Sequence, residues 1–107
     1  MSNVIEVTDA SFEQEVCNSD KVTLVDFWAV WCGPCRKLSP MIDQLAEEYG
    51  DKAKFVKIKA DENTDTATKY SVSGVPCLLV FKNGEVVERM VNIVPKSTIV
   101  NNINKHI

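Results

Sequence analysis

Residues 22–29 read Val-Thr-Leu-Val-Asp-Phe-Trp-Ala, nearly all apolar on both alternating faces, with a single acid. Such a run suits a strand covered on both sides. It leads almost directly into Cys32-Gly33-Pro34-Cys35, and an apolar-periodic helix follows. A buried strand that turns into a helix across a Cys-X-X-Cys pair is the layout of a dithiol redox site, and it leaves few architectures open. The helix N-terminus supplies partial positive charge and free N–H groups, which stabilise a thiolate.

The rest of the chain alternates. Residues 4–7 form a short strand. Thr8 or Asp9 caps a helix over about residues 11–18, with Phe12 and Val16 on its buried face. The helix after the cysteines spans about residues 34–49. Pro34 suits its first turn, and Leu38, Met41, Ile42, Leu45, Ala46 and Tyr49 form one stripe. Pro40 should kink that helix and Gly50 should end it. Residues 54–59 read as a strand, a weaker helix carries Ala67 and Tyr70, and residues 77–81 are again a strand. Asn83-Gly84 signals a hairpin into residues 86–91. Pro95 opens a last helix that would bury Ile99, Val100, Ile103 and Ile107. The order β-α-β-α-β-α-β-β-α predicts a mixed α/β fold, with a parallel portion covered by helices on both faces and an antiparallel portion at the end.

The chain has 107 residues, which suits a single domain over 1–107. With 45% apolar residues it can build a core, so its four cysteines are not needed as a disulfide scaffold. Cys17 and Cys77 are singletons, which argues against a structural zinc site of paired ligands. The lone His106 reads as a surface residue. A net charge of −3, with no run of Lys or Arg longer than a pair, gives no footprint for nucleic acid. No apolar run has the length of a membrane span, and the N-terminus shows no charged n-region or h-region. A cytoplasmic location is the expectation.

Thiol–disulfide exchange needs one accessible thiolate and a second thiol to resolve the mixed disulfide. Cys32, at the turn, is the expected nucleophile. Cys35, in the first helical turn, should be more buried and should resolve. Gly33 lets the backbone approach closely and Pro34 stiffens the loop. Asp26 sits mid-strand, where burial would raise its pKa and fit it to take the proton from Cys35. Lys57, on another strand, is a candidate partner for Asp26. Trp28 and Trp31 bracket the entry to the turn, one suited to shielding and the other to contact. Gly74-Val75-Pro76 precedes a strand, and Pro76 is either a simple strand terminator or a cis proline.

The markers Asp26-Phe27-Trp28-Ala29, Trp31-Cys32-Gly33-Pro34-Cys35, Pro40, Lys57, Asp61, Gly74-Val75-Pro76 and Asn83-Gly84 together resemble the thioredoxin family over essentially the whole chain. The resemblance implies a central mixed five-stranded sheet flanked by four helices. It implies Cys32 as nucleophile, Cys35 as resolving thiol, and Asp26 with Lys57 in proton transfer. It makes Pro76 cis, and it puts Trp31, Gly33, Pro34, Gly74, Val75, Pro76 and Asn92 along a docking groove. There the Val75 backbone would pair with an extended substrate. It implies a monomer without cofactor or metal, acting on disulfide-containing proteins and recharged by a separate thioredoxin reductase.

Cys77, Asn92, Val30 and Pro95 depart from the family's usual Thr, Gly, polar or Pro, and Ser-type residues. Cys77, following Pro76, puts a third sulfur close to the redox pair, as a packing residue or as a third redox or metal-holding thiol. Cys17 reads as packing. Asn92 should narrow the groove and must tolerate positive φ. A docking module that dispenses with the dithiol, a specialised oxidant or isomerase, and a metal-holding dimer through Cys32, Cys35 and Cys77 stay open as alternatives.

Overall fold

The computed structural model describes residues 3–107. Met1 and Ser2, part of the segment read above for an export leader, lie outside them. The strands are β1 (Ile5–Glu6), β2 (Thr23–Trp28), β3 (Lys54–Lys59), β4 (Cys77–Lys82) and β5 (Glu85–Val91). They form one five-stranded sheet in the order β1-β3-β2-β4-β5. β1, β3 and β2 are mutually parallel, β4 runs antiparallel to β2, and β5 runs antiparallel to β4. The α-helices are α1 (Gly33–Tyr49), α2 (Thr64–Lys69) and α3 (Lys96–Asn104), and a π-helical turn, Glu13–Cys17, completes the four helical elements. This is the mixed α/β architecture expected.

The sheet separates two apolar layers. On one face Leu24, Leu78 and Val80 meet Leu38, Ile42 and Leu45 of α1 and Ile99 and Ile103 of α3. On the other, Val25, Phe27, Cys77, Leu79 and Phe81 meet Phe12, Val16 and Tyr70. β2 is central and its face alternation assigns neighbouring residues to opposite layers. Its C-terminal end delivers the chain to Cys32.

α1 runs through Pro40 as one element, and Gly50 closes it with φ of 56°. The Asn-Gly turn has φ of 53° at Asn83 and 80° at Gly84, as a tight hairpin requires. A Cβ at Gly84 would stand 3.1 Å from the Cys17 carbonyl oxygen, so the hairpin tip seats directly on the π-helical turn.

The structure differs from the sequence expectations at several points. The first helix is the five-residue π turn Glu13–Cys17, with Asn18 N–H donating to the Glu13 carbonyl at 2.9 Å. Phe12 and Val16 are buried as expected. Asp9 does not cap that turn. Its Oδ1 accepts from Thr66 N–H at 3.0 Å and from Thr66 Oγ1 at 2.6 Å, so it caps α2 instead. Ile107 is 59% exposed, because α3 ends at Asn104 before its stripe reaches the last residue. His106 is half-buried, with Nε2 2.7 Å from Glu88 Oε2, and so ties the C-terminal segment to β5.

Candidate functional site

Cys32 is the N-cap of α1 and Cys35 lies in its first turn. The two sulfurs are joined in a disulfide, with the Cα atoms 5.3 Å apart. Cys32 Sγ accepts the Cys35 N–H at 3.1 Å, the position a capping oxygen usually takes. A thiolate at Cys32 would keep this donor and gain from the positive end of the helix. Pro34 occupies the start of the helix, where its missing N–H removes no intrahelical bond.

The expected difference in burial between the thiols is small in this closed form: Cys32 is 4% exposed and Cys35 2%. They differ instead in what they face. Cys35 lines a cavity of about 80 Å³ together with Asp26, Trp28, Arg36, Ser39 and Lys57.

Asp26 is buried, and burial pushes its carboxyl up to about 7. Lys57 pulls it down by a smaller amount and Asp43 adds to the rise. Asp26 and Lys57 are register partners across parallel β2 and β3. The Lys57 ammonium lies 5.3 Å from the centre of the Trp28 ring, with Lys59 at 5.7 Å. Lys57 thus acts on Asp26 through its field.

Around the disulfide the surface is apolar. Trp31 is 68% exposed, with Val30, Val91 and Ile93 also exposed. Trp31 Nε1–H donates to Asp61 Oδ2 at 2.9 Å, which fixes the indole beside the turn. A cavity of about 260 Å³ opens next to it, lined by residues that include Trp31, Asp61, Ala67, Val72, Gly74 and Val75. Trp28 is half-buried, consistent with one shielding and one presenting tryptophan.

The Val75–Pro76 peptide bond is cis, Pro76 is buried, and Val75 packs on the cluster of Ala29, Cys32 and Cys35. Gly74 is exposed beside it. Asn92 has φ of 67° and donates its N–H to the Pro76 carbonyl at 3.0 Å. Asparagine tolerates this left-handed conformation better than most residues. The structure therefore brings Cys32, Cys35, Trp31, Gly33, Pro34, Gly74, Val75, Pro76 and Asn92 to one end of the molecule, with Asp26 and Lys57 beneath.

The place of Cys77 fits its reading as a packing residue. It belongs to the layer of Val25, Phe27 and Phe81, on the sheet face opposite α1, and burial raises its pKa. Cys32 and Cys35 belong to a separate cluster with Ala29. Cys17 is half-buried, with Sγ 3.4 Å from Tyr70 Oη. Arg36 was not singled out from the sequence: its Nη1 donates to the Val30 carbonyl at 3.0 Å across the redox turn. No local pattern marks that contact. Among the described residues, no helix is long and apolar enough to cross a membrane.

Residues 3–105 match the family model described as Thioredoxin. Among curated proteins, the chain is 51% identical over 105 residues to the thioredoxin of Porphyra purpurea, covering 98% of each. It is 47% identical over 107 residues to thioredoxin 1 of Synechococcus elongatus, and 47% identical over 107 residues to the thioredoxin of Haemophilus influenzae, covering 100% of each chain in both comparisons.

Proposed function

The chain belongs to the thioredoxin family, and on that premise we propose how its residues divide the work of reducing a protein disulfide. The activity itself is that of a thiol–disulfide oxidoreductase working through Cys32 and Cys35, a protein-disulfide reductase. The observation that carries the division of roles is the Cys32 sulfur at the helix N-cap, accepting the Cys35 N–H, while Cys35 faces the cavity of Asp26.

In the reduced protein the Cys32 thiolate attacks one sulfur of the partner disulfide. A Cys32–partner bond forms, the partner S–S bond breaks, and one partner thiolate leaves and takes a proton. The Cys35 thiol then gives its proton to the Asp26 carboxylate and attacks Cys32 Sγ. The Cys32–Cys35 bond closes as the second partner thiolate leaves and is protonated. The partner gains two electrons and the protein loses the same number. A carboxyl poised at about 7 is well matched to hold and return that proton near neutral pH.

Trp31, Gly33, Pro34, Gly74, Val75, Pro76 and Asn92 form the docking surface in this reading. Exposed apolar side chains around the disulfide support it. The proposal further takes residues 1–107 as a single domain, a monomer in the cytoplasm, recharged by a thioredoxin reductase.

A redox titration against graded thiol/disulfide buffers, with mass spectrometry of trapped thiols, tests the assignment. Cys32 and Cys35 should change together as one two-electron couple at a reducing potential while Cys17 and Cys77 stay unchanged. An oxidising couple, or exchange at Cys77, would contradict it.

A further inference from the structure

One side chain from the edge strand β5 holds both ends of the loop that carries Gly74, Val75 and Pro76. α2 ends at Lys69 with Tyr70 as its C-cap, and Ser71 follows with φ of 58°. Ser71 N–H donates to the Thr68 carbonyl at 3.1 Å and Val72 N–H to the Ala67 carbonyl at 2.8 Å. This pair of bonds around a left-handed residue closes a helix C-terminus. It leaves the Tyr70 carbonyl without an intrahelical donor. Arg89 supplies one: its Nη2 donates to the Tyr70 carbonyl at 2.5 Å. Nη1 of the same guanidinium lies 3.9 Å from Cys77 Sγ. Cys77 directly follows Pro76, so the guanidinium engages residue 70 before the loop and residue 77 after it.

The sheet register explains why Arg89 reaches both. Cys77 pairs with Val91, and Leu79 with Arg89, so Arg89 rises on the sheet face that Cys77 occupies. A planar guanidinium offers separate donors to two neighbours at fixed geometry, which a lysine ammonium does not. Asn92, the residue that follows this strand, adds a brace by donating its N–H to the Pro76 carbonyl at 3.0 Å.

We propose that Arg89 is a positioning residue for protein-disulfide reduction. By tying Tyr70 and Cys77 together it holds the Val75 backbone in the posture that receives an extended partner chain. It touches neither the dithiol nor the substrate. The inference rests on the reading of Gly74, Val75 and Pro76 as the docking edge.

The test mixes reduced protein with rising concentrations of insulin, a disulfide-bonded polypeptide, and follows a single turnover by the fluorescence of Trp28 and Trp31. A small aryl disulfide, which needs no docking edge, serves as the second substrate. Arg89→Gln should raise the half-saturating insulin concentration about tenfold, from the loss of a charge-assisted bond. The limiting rate and the aryl-disulfide rate should stay within about twofold of the parent. Arg89→Lys should fall between the two. An unchanged half-saturating concentration in Arg89→Gln overturns the proposal, as does a parallel fall in the aryl-disulfide rate. Val75→Asp separates the two levels of inference. If it raises the half-saturating concentration while Arg89→Gln does not, only the role of Arg89 fails. If it leaves that concentration unchanged, the docking edge itself is misassigned and the proposal goes with it.

Discussion

Asp26 and Cys35 line one cavity of about 80 Å³ beneath the redox turn, and Asp26 Oδ1 has no hydrogen-bond partner among the described residues. Lys57 stands opposite Asp26 in the sheet register, but its ammonium lies over the Trp28 ring. The carboxyl is therefore buried without an ion-pair contact and with no hydrogen-bond donor to Oδ1. That combination favours the neutral acid and makes Asp26 costly to ionise in the folded state.

The stability of the protein should depend on pH accordingly. Asp26 titrates near 3.8 in the unfolded chain and at about 7 in the fold. Between these values the folded protein keeps a proton that the unfolded chain releases, so stability falls as pH rises through this window. The penalty is absent below the lower value and complete above the upper one, where it amounts to about 4 kcal/mol. Asp26→Asn removes the titration. Urea unfolding of the oxidised protein at a series of pH values should show the variant about 3–4 kcal/mol more stable at pH 8 and level with the parent near pH 3.5. An equal gain at every pH would assign the effect to packing.

Removing the resolving sulfur should arrest the reaction halfway. Cys35→Ser should accumulate a Cys32–partner mixed disulfide and lose turnover by about a hundredfold or more. Non-reducing gels and mass spectrometry of the adduct check this. A partner trapped on Cys17 or Cys77 would contradict the assigned order of attack.

Trp31 combines 68% exposure with a hydrogen bond to Asp61 that fixes its indole, so it presents a large apolar surface at little entropic cost. Trp31→Ala should weaken association with protein disulfides by about 1–2 kcal/mol while leaving small-disulfide rates nearly unchanged. Saturation kinetics with both substrate types distinguish this from damage to the dithiol, which would lower both rates.

Asp9 reaches across the fold to cap α2, where it accepts from the backbone and the hydroxyl of Thr66. Asn63 Oδ1 in turn accepts the Asp9 N–H at 2.8 Å. Asp9→Ala should cost about 1–2 kcal/mol of stability and loosen the first turn of α2. Denaturant unfolding gives the first quantity and amide exchange at Thr66 the second. An unchanged midpoint would mean that solvent caps the helix equally well.

The parts of the fold that were legible in the sequence are those fixed by neighbouring residues. Residues 22–29 announce a doubly covered strand, Pro34 and Gly50 mark the ends of α1, and Asn83-Gly84 sets its own turn. The cysteines and Asp26 were equally visible, because an acid in an apolar strand and thiols at a helix start are local anomalies. The features that were not legible depend on distant partners. The spacing of Phe12 and Val16 suits either an α-helix or the wider π turn. That turn is seated by the tip of the hairpin at Gly84 and by Lys54, whose Nζ donates to the Glu15 carbonyl at 2.6 Å. Nothing near Asp9 in sequence points to Thr66, and nothing near Arg89 points to Tyr70. Alternation alone locates Arg89 on a strand, and only the assembled sheet shows what it holds.

The placement of Cys77 in the layer opposite α1 has a consequence for electron accounting. Cys77 packs with Val25, Phe27 and Phe81, whereas Cys32 and Cys35 pack with Ala29, and Val75 touches both groups. A mixed disulfide at Cys32 should therefore resolve through Cys35, and the couple should carry its two electrons without drawing on the third thiol.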